Sequence, residues 1–317
     1  MTAPDLQQTT FTLDDLRARA EGRGPISADV RLGVLGSPVA HSLSPAMHNA
    51  ALAALGSDIR YAKIDCPPEA LAEAVQLVRD AGFLGLNLTV PHKIAAVDLC
   101  GELDETARQL GAVNTLLFDP AGTVGFNTDG PGLARTVRDV FAFDLRDLRV
   151  MILGAGGGAG TAAALQCALE QCPRLVLVNR TEGKARDVAA RASRILRTAR
   201  LVGPEDRVTV CPWTDSALRA QLARTDLVIN ATSLGMKRSD PRLVPAALLT
   251  PDLMVFDMVY RPAVTRLLED ARAAGARTSN GLPMLLHQGA LSLEIWLNRP
   301  APLEAMRAAL EQAAQGT

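Results

Sequence analysis

The chain has 317 residues, 48% hydrophobic and 21% charged, enough apolar material for about two packed domains, which excludes a disordered protein. Lys and Arg total 33 against 34 Asp and Glu, a formal net charge of −1, so the electrostatic case for a general nucleic-acid or anionic-membrane binder falls away. No apolar run reaches the ~18 residues of a membrane span, and Met1–Gly24 lacks the apolar stretch of a secretory signal, which together predict a cytoplasmic protein.

Residues 1–29 are polar and hold one short helical segment, opened by Thr12 with Asp15 three residues on. They read as a peripheral N-terminal extension. From residue 30 strand and helix signals alternate. VRLGVLG (30–36) is a short apolar strand, and SPAMHNAALAALG (44–56) a helix with Ser at its cap, Pro in its first turn and a terminal Gly. IRYAKIDC (59–66) is a strand, PEALAEAVQLVRDAG (68–82) an amphipathic helix, and FLGLNLTV (83–90) a strand followed by a helix opening at Pro91. AVNTLLFD (112–119) and TVGFNT (123–128) flank a D-P-A-G turn and form a hairpin. A domain break falls near Asp129–Arg135. Beyond it lie strands at 149–153, 175–180, 207–211, 226–232 and 253–260, and helices over 182–199, 265–275, 284–298 and 302–314. Strands alternating with helices imply parallel sheets and an α/β fold.

The five cysteines, Cys66, Cys100, Cys167, Cys172 and Cys211, form no C-x-x-C and suit a reducing compartment. Only Lys63, Lys93, Lys184 and Lys237 are Lys among the 33 basic residues, so each draws notice.

Gly154, Gly156 and Ala159 form G-x-G-x-x-A between a strand and an Ala-rich helix. In that pattern the first Gly allows a tight turn, the second lets backbone approach a pyrophosphate, and the third small residue lets helix and strand pack closely. The helix N-terminus supplies free N–H groups for the phosphates. An NAD site places an acid ~20 residues further on to hold the ribose hydroxyls. Here Asn179, Arg180 and Thr181 stand at the next strand's end, with Lys184 one turn later, a set suited to a 2′-phosphate and hence to NADP over NAD. The alternative is that Arg180 is a solvated surface residue.

Polar residues gather where the first-domain strands end. Ser42 and Ser44 stand before a helix, Ser44 as its cap, among His41, His48 and Asn49. Asn87 and Thr89 are two apart on a strand and face one side. Lys93 follows in the first turn of the Pro91 helix, where the positive end of the dipole would depress its pKa and suit it to acid–base work. Asn114 and Asp129 lie at or past strand ends, and Asp129 either caps the next helix, pairs with Lys93, or both. The histidines, His41, His48, His92 and His287, have no metal-site spacing, and no G-x-S-x-G occurs, so neither a metal nor a serine hydrolase is expected.

GSPVAHSLSPAMHN, NLTVPHK, GAVNT, GFNTDG, GAGGGA, NRT, NATSLGM, DMVYRP and NGLPMLLHQGA, in that order from about Leu32 to about Ile295, resemble the shikimate dehydrogenase family, which includes the quinate/shikimate dehydrogenases. The resemblance implies an α/β substrate domain over 30–130 plus 283–317, and a Rossmann NADP domain over 131–282, around a cleft. It implies Lys93 and Asp129 as the catalytic pair. Ser42, Ser44, Asn87, Thr89, Asn114, Tyr260 and Gln288 would hold the substrate. Gly154, Gly156, Gly157, Asn179, Arg180, Thr181 and Lys184 would hold NADP, with Met258, Gly281 and Met284 at its nicotinamide end. The reaction implied is reversible reduction of 3-dehydroshikimate to shikimate, by a monomer or homodimer. Where many members read GAGGAAR, this chain reads GAGGGAGT and lacks the Arg at 160, one cation fewer near the phosphates. A quinate/shikimate or aminoshikimate dehydrogenase using NAD or NADP is the alternative within the family. A non-catalytic NADP-binding regulator would need neither Lys93 nor Asp129. Against a methylenetetrahydrofolate dehydrogenase stand the Ser-x-Ser and NTDG segments.

Overall fold

The computed structural model describes residues 6, 8–198 and 207–315, in two compact units, Met1–Thr128 with Leu285–Thr317, and Asp129–Met284. The first unit is built on a seven-stranded mixed sheet. Its strands are β1 (Thr10–Phe11), β2 (Val30–Gly36), β3 (Arg60–Asp65), β4 (Gly85–Leu88), β5 (Glu102–Leu103), β6 (Thr115–Asp119) and β7 (Gly122–Phe126), in the order β1-β3-β2-β4-β6-β7-β5. β2, β3 and β4 run parallel, whereas β6 is antiparallel to both β4 and β7. Helices α1 (Leu13–Ala20), α2 (Ser44–Ala54), α3 (Leu71–Asp80) and α4 (Glu105–Leu110) belong to it. On α3, Leu71, Ala74, Val75 and Val78 are buried, the i, i+3, i+4, i+7 stripe of a helix laid on a sheet.

The second unit carries a fully parallel six-stranded sheet. Its strands are β8 (Arg149–Leu153), β9 (Arg174–Val178), β10 (Val208–Cys211), β11 (Leu227–Asn230), β12 (Met254–Asp257) and β13 (Arg277–Ser279). The order β10-β9-β8-β11-β12-β13 is the Rossmann order 3-2-1-4-5-6. Val150–Leu153 and Leu175–Val178 are buried on both faces, as near-continuous apolar runs in a parallel sheet must be. Its helices are α5 (Asp129–Phe141), α6 (Gly158–Leu169), α7 (Glu182–Thr198), α8 (Asp215–Leu222) and α9 (Arg266–Ala273). α10 (Leu282–Leu297) starts in this unit and continues into the first, and α11 (Leu303–Gln315) closes the chain.

Several expectations need correction. The N-terminal segment is not peripheral. β1 adds to the sheet edge through Thr10 and Phe11 against Lys63 and Ile64, and Phe11 and Leu16 are buried in the unit's core. The expected cap at Thr12 is a full capping box with Asp15. No α-helix opens at Pro91: residues 91–94 form a turn and 95–99 a 3-10 helix. The Lys93 carbonyl accepts from the Val113 N–H at 2.8 Å, so it is not free to bond along a helix. The strand at 83–90 contracts to β4, and that at 253–260 to β12, leaving Met258 and Tyr260 beyond its end. Ala199, the expected end of α7, lies outside the described residues.

Candidate active site

In the first unit the topology collects the polar segments at one end of the sheet. β2 and β4 end there, the antiparallel β6 begins there, and β7 ends there. The loop after β2 brings Ser42, the end of β4 brings Asn87 and Thr89, Asn114 precedes β6, and Thr128 follows β7. α10 adds Gln288 and Ser292 one turn apart.

Asn87, Asn114, Thr128 and Ser292 share one buried hydrogen-bond network with Thr115 and Tyr61. Asn87 Nδ2 donates to Ser292 Oγ at 2.9 Å and Thr115 Oγ1 at 3.1 Å, and Tyr61 donates to Asn87 Oδ1 at 2.8 Å. Thr128 N and Thr115 Oγ1 donate to Asn114 Oδ1 at 2.8 and 3.0 Å, and Asn114 Nδ2 reaches Gln288 Oε1 at 3.5 Å. Ser44 does not cap α2 as expected. Leu43 holds that position with no side-chain bond, and Ser44 is the first helical residue, its N–H reaching Ser42 Oγ at 3.3 Å. The Ser44 hydroxyl is therefore not engaged in capping. Lys63, almost fully buried, donates to the Ala40 carbonyl at 3.0 Å and ties the Ser42 loop to β3. Thr89 lies against Gly36, where a Cβ would stand 2.2 Å from its methyl group.

Lys93 is half-buried in the 91–94 turn. Its place ahead of a 3-10 helix removes the α-helix dipole argument made for it. Neighbouring His92 anchors that turn, its Nε2 2.8 Å from the Cys66 carbonyl, and burial lowers its pKa. His48 is completely buried, stacked on Tyr61 with centroids 4.3 Å apart, and burial drives its pKa down to about 3. Neither histidine is poised for proton transfer.

In the second unit the C-terminal ends of the parallel strands form the cradle. Gly154 has φ +85° and presses on Thr232, after β11, across the point where the strand order reverses. A Cβ at Gly156 would stand 2.6 Å from Lys184 Cβ, so Lys184 packs directly on the loop. Asn179 braces that loop from the side, accepting from Gly156 N at 3.2 Å and donating to the Thr181 carbonyl at 2.8 Å. Gly157 caps α6. The close helix–strand approach is made by Gly160 and not Ala159. A Cβ at 160 would lie 2.2 Å from the Gly154 carbonyl oxygen, whereas Ala159 is exposed. Arg180, Thr181 and Lys184 are exposed. The nearest acid, Glu182, is paired with Arg186 at 2.6 Å, and Arg180 and Lys184 have no acidic partner among the described residues. A Gly cradle that side chains would fill, a helix N-terminus and two uncompensated cations fit a phosphorylated dinucleotide.

Past β12, Gly281 lies against Met258, with room for no Cβ between it and the Met258 carbonyl, and Met284 is half-buried in the first turn of α10. Burial raises the Tyr260 pKa. Sequence reasoning missed the brace beneath. Buried Asp257 accepts from Thr265 Oγ1 at 2.6 Å, Asn230 Nδ2 at 2.8 Å and Val259 N at 3.0 Å, and burial raises its pKa. Asn230 and Asp257 stand in the NATSLGM and DMVYRP segments, which carried a signal without a role. Asp129 is the first residue of α5. Among the described residues no group of three or more His, Cys, Asp or Glu could hold a metal, and no helix is long and apolar enough to cross a membrane.

The family described as shikimate dehydrogenase substrate binding domain matches residues 34–116, and that described as Shikimate 5'-dehydrogenase C-terminal domain matches 281–311. The shikimate dehydrogenase (NADP(+)) of Methanopyrus kandleri is 43% identical over 88% of this chain and 94% of its own. That of Symbiobacterium thermophilum is 41% identical over 95% and 99%. Among solved structures, the Thermus thermophilus shikimate 5-dehydrogenase in complex with NADP(H) and shikimate aligns with a TM-score of 0.78 and 35% identity, over 90% of this chain and 99% of that one.

Proposed function

The chain belongs to the shikimate dehydrogenase family, and from that premise we propose that it catalyses the reversible NADPH-dependent reduction of 3-dehydroshikimate to shikimate, with Lys93 and Asp129 as its acid–base pair. The observation that carries the reading is the network of Asn87, Asn114, Thr115, Thr128 and Ser292, with Gln288 at its border. A small polyhydroxy acid offers a carboxylate and several hydroxyls, and short hydroxyl and amide side chains match them one for one.

Bound NADPH supplies a hydride to the substrate carbonyl carbon. The oxygen left behind gains charge as its bond to carbon becomes single, and Lys93 gives that oxygen a proton. In the reverse direction Lys93 takes the hydroxyl proton away. Asp129 accepts a hydrogen bond from a substrate hydroxyl and keeps the Lys93 ammonium aimed. Ser42 and Ser44 donate to the carboxylate. Asn87, Thr89, Asn114, Tyr260 and Gln288 take the hydroxyls. Arg180, Lys184 and Thr181 would hold the 2′-phosphate, and Gly154, Gly156 and Gly157, having no side chains, would let the pyrophosphate come close to the main chain at the start of α6, beside Asn179. Met258, Gly281 and Met284 line the nicotinamide end. The five free thiols are in keeping with a cytoplasmic enzyme.

Initial rates with shikimate and quinate, each paired with NADP+ and NAD+, test the reading. Activity confined to shikimate with NADP+ is expected. Comparable rates with quinate or NAD+ would move the chain to the broad-specificity branch of the family, and silence in all four would overturn the proposal. Lys93→Ala should lower kcat by about 10²–10⁴ while NADP+ still binds, and an unchanged kcat would remove Lys93 from the chemistry.

A further inference from the structure

We infer that Tyr61, on β3, is a positioning residue for substrate recognition, its phenol hydroxyl fixing which way the Asn87 amide faces. The inference rests on the reading of Asn87 as a substrate contact.

Asn87 is only 6% exposed, so its amide must find its partners inside the protein. On one side lie Thr115 Oγ1, Ser292 Oγ and, at 3.3 Å, the main-chain carbonyl of Asn114. Hydroxyls can accept or donate, but a carbonyl can only accept. The NH2 end of the Asn87 amide therefore faces that side, and its oxygen faces Tyr61. The Tyr61 hydroxyl has one proton, and that proton goes to Asn87 Oδ1 at 2.8 Å. The ring is fully buried, stacked face to face on His48 with planes 6° apart, and flanked by Trp296 with centroids 6.1 Å apart.

This arrangement has a polarity. The Asn87 N–H groups already point at protein acceptors, so what the residue can offer a ligand is the remaining lone pair of Oδ1. It accepts from a hydroxyl and offers nothing to a carbonyl or carboxylate. Tyr61 thereby sets which substrate group, an alcohol and not a ketone or acid, is recognised at that point.

The test is Tyr61→Phe in the full chain, which keeps the stacking and removes one oxygen. With shikimate and NADP+, KM for shikimate should rise about tenfold, the worth of one hydrogen bond, while KM for NADP+ stays within about twofold. In the double variant with Asn87→Ala the losses in kcat/KM should be less than multiplicative. Val78→Ala, buried on α3 away from the network, serves as a control. It should lower Tm and leave KM for shikimate unchanged. An unchanged KM in Tyr61→Phe overturns the inference. So does a fully multiplicative double variant, or a KM rise that Val78→Ala reproduces at equal loss of Tm. A wild-type protein that turns over no shikimate fails differently. It overturns the reading of the function, and this inference with it.

Discussion

Replacing His48 with Leu should flatten the acid side of the first unit's stability profile. His48 is completely buried, and among the described residues neither ring nitrogen has a hydrogen-bond partner. Burial lowers its pKa from the ordinary 6.5 to about 3. The unfolded chain can thus protonate this histidine below about pH 6.5, while the folded protein does not until about pH 3. In that window the unfolded state binds the extra proton, so stability is whole above it and falls as the pH falls. At 1.36 kcal/mol per pH unit, moving from about pH 7.5 to about pH 5 should cost about 2 kcal/mol through this one group. The His48→Leu variant has nothing to titrate there. Lost stacking on Tyr61 shifts its whole curve but not its slope. The chain has two tryptophans, Trp213 in the second unit and Trp296 in the first. In a Trp213→Phe background, Trp296 fluorescence during urea unfolding reports the first unit alone. The free-energy difference between the two proteins should narrow or widen by about 2 kcal/mol across the range. Parallel curves would refute the argument that burial keeps this imidazole neutral.

Three further outcomes are expected. Arg180→Ala should raise KM for NADP+ tenfold or more and leave KM for shikimate within about twofold, measured by initial rates, because the proposed contact to the 2′-phosphate is lost. Gly160→Ala should destabilise the second unit by about 1–3 kcal/mol, since the Gly154 backbone cannot yield to the added methyl, and should weaken NADP+ binding by titration calorimetry, whereas Ala159→Ser changes neither. Phe11→Ala should cost the first unit about 3–5 kcal/mol, read from the urea midpoint of Trp296 fluorescence; a loss under 1 kcal/mol would restore the N-terminal segment to the periphery.

The sequence made legible what is local. A Gly that turns a chain, a strand that is apolar on both faces and a Ser or Thr before a helix all act within a few residues of themselves. The alternation of strands and helices and the Gly154–Gly156 turn could therefore be read directly. Spacing rules failed where the loop departs from the usual length. With Gly157, Gly158 and Ala159 between the second Gly and the packing position, that position is Gly160, one residue past the place the motif assigns it. The turn at Pro91 was read as a helix because the Lys93 carbonyl is claimed by Val113, 20 residues on, and no local pattern announces such a bond. The same holds for the buried polar network. Thr115 meets Ser292 across 177 residues and Tyr61 meets Asn87 across 26, so these polar groups look unremarkable in sequence until the sheet gathers them. Phe11 and Leu16 are hard to read because the buried side chains of this polar segment, Leu6, Phe11, Leu16 and Ile26, follow neither a strand nor a helix period.

Both margins of the seven-stranded sheet are stubs. β1 and β5 are two residues long, while the strands between them run to four or more. A margin that short presents too few free N–H and C=O groups to template another polypeptide. The inner strands of this sheet, of which β2 is mostly apolar and would on a long bare margin invite fibril growth, are thus kept from intermolecular pairing by two pairs of residues. One of those pairs, Thr10–Phe11, lies in the polar N-terminal segment. Trimming that segment would uncover the flank of β3, and the first sign would be self-association at high concentration.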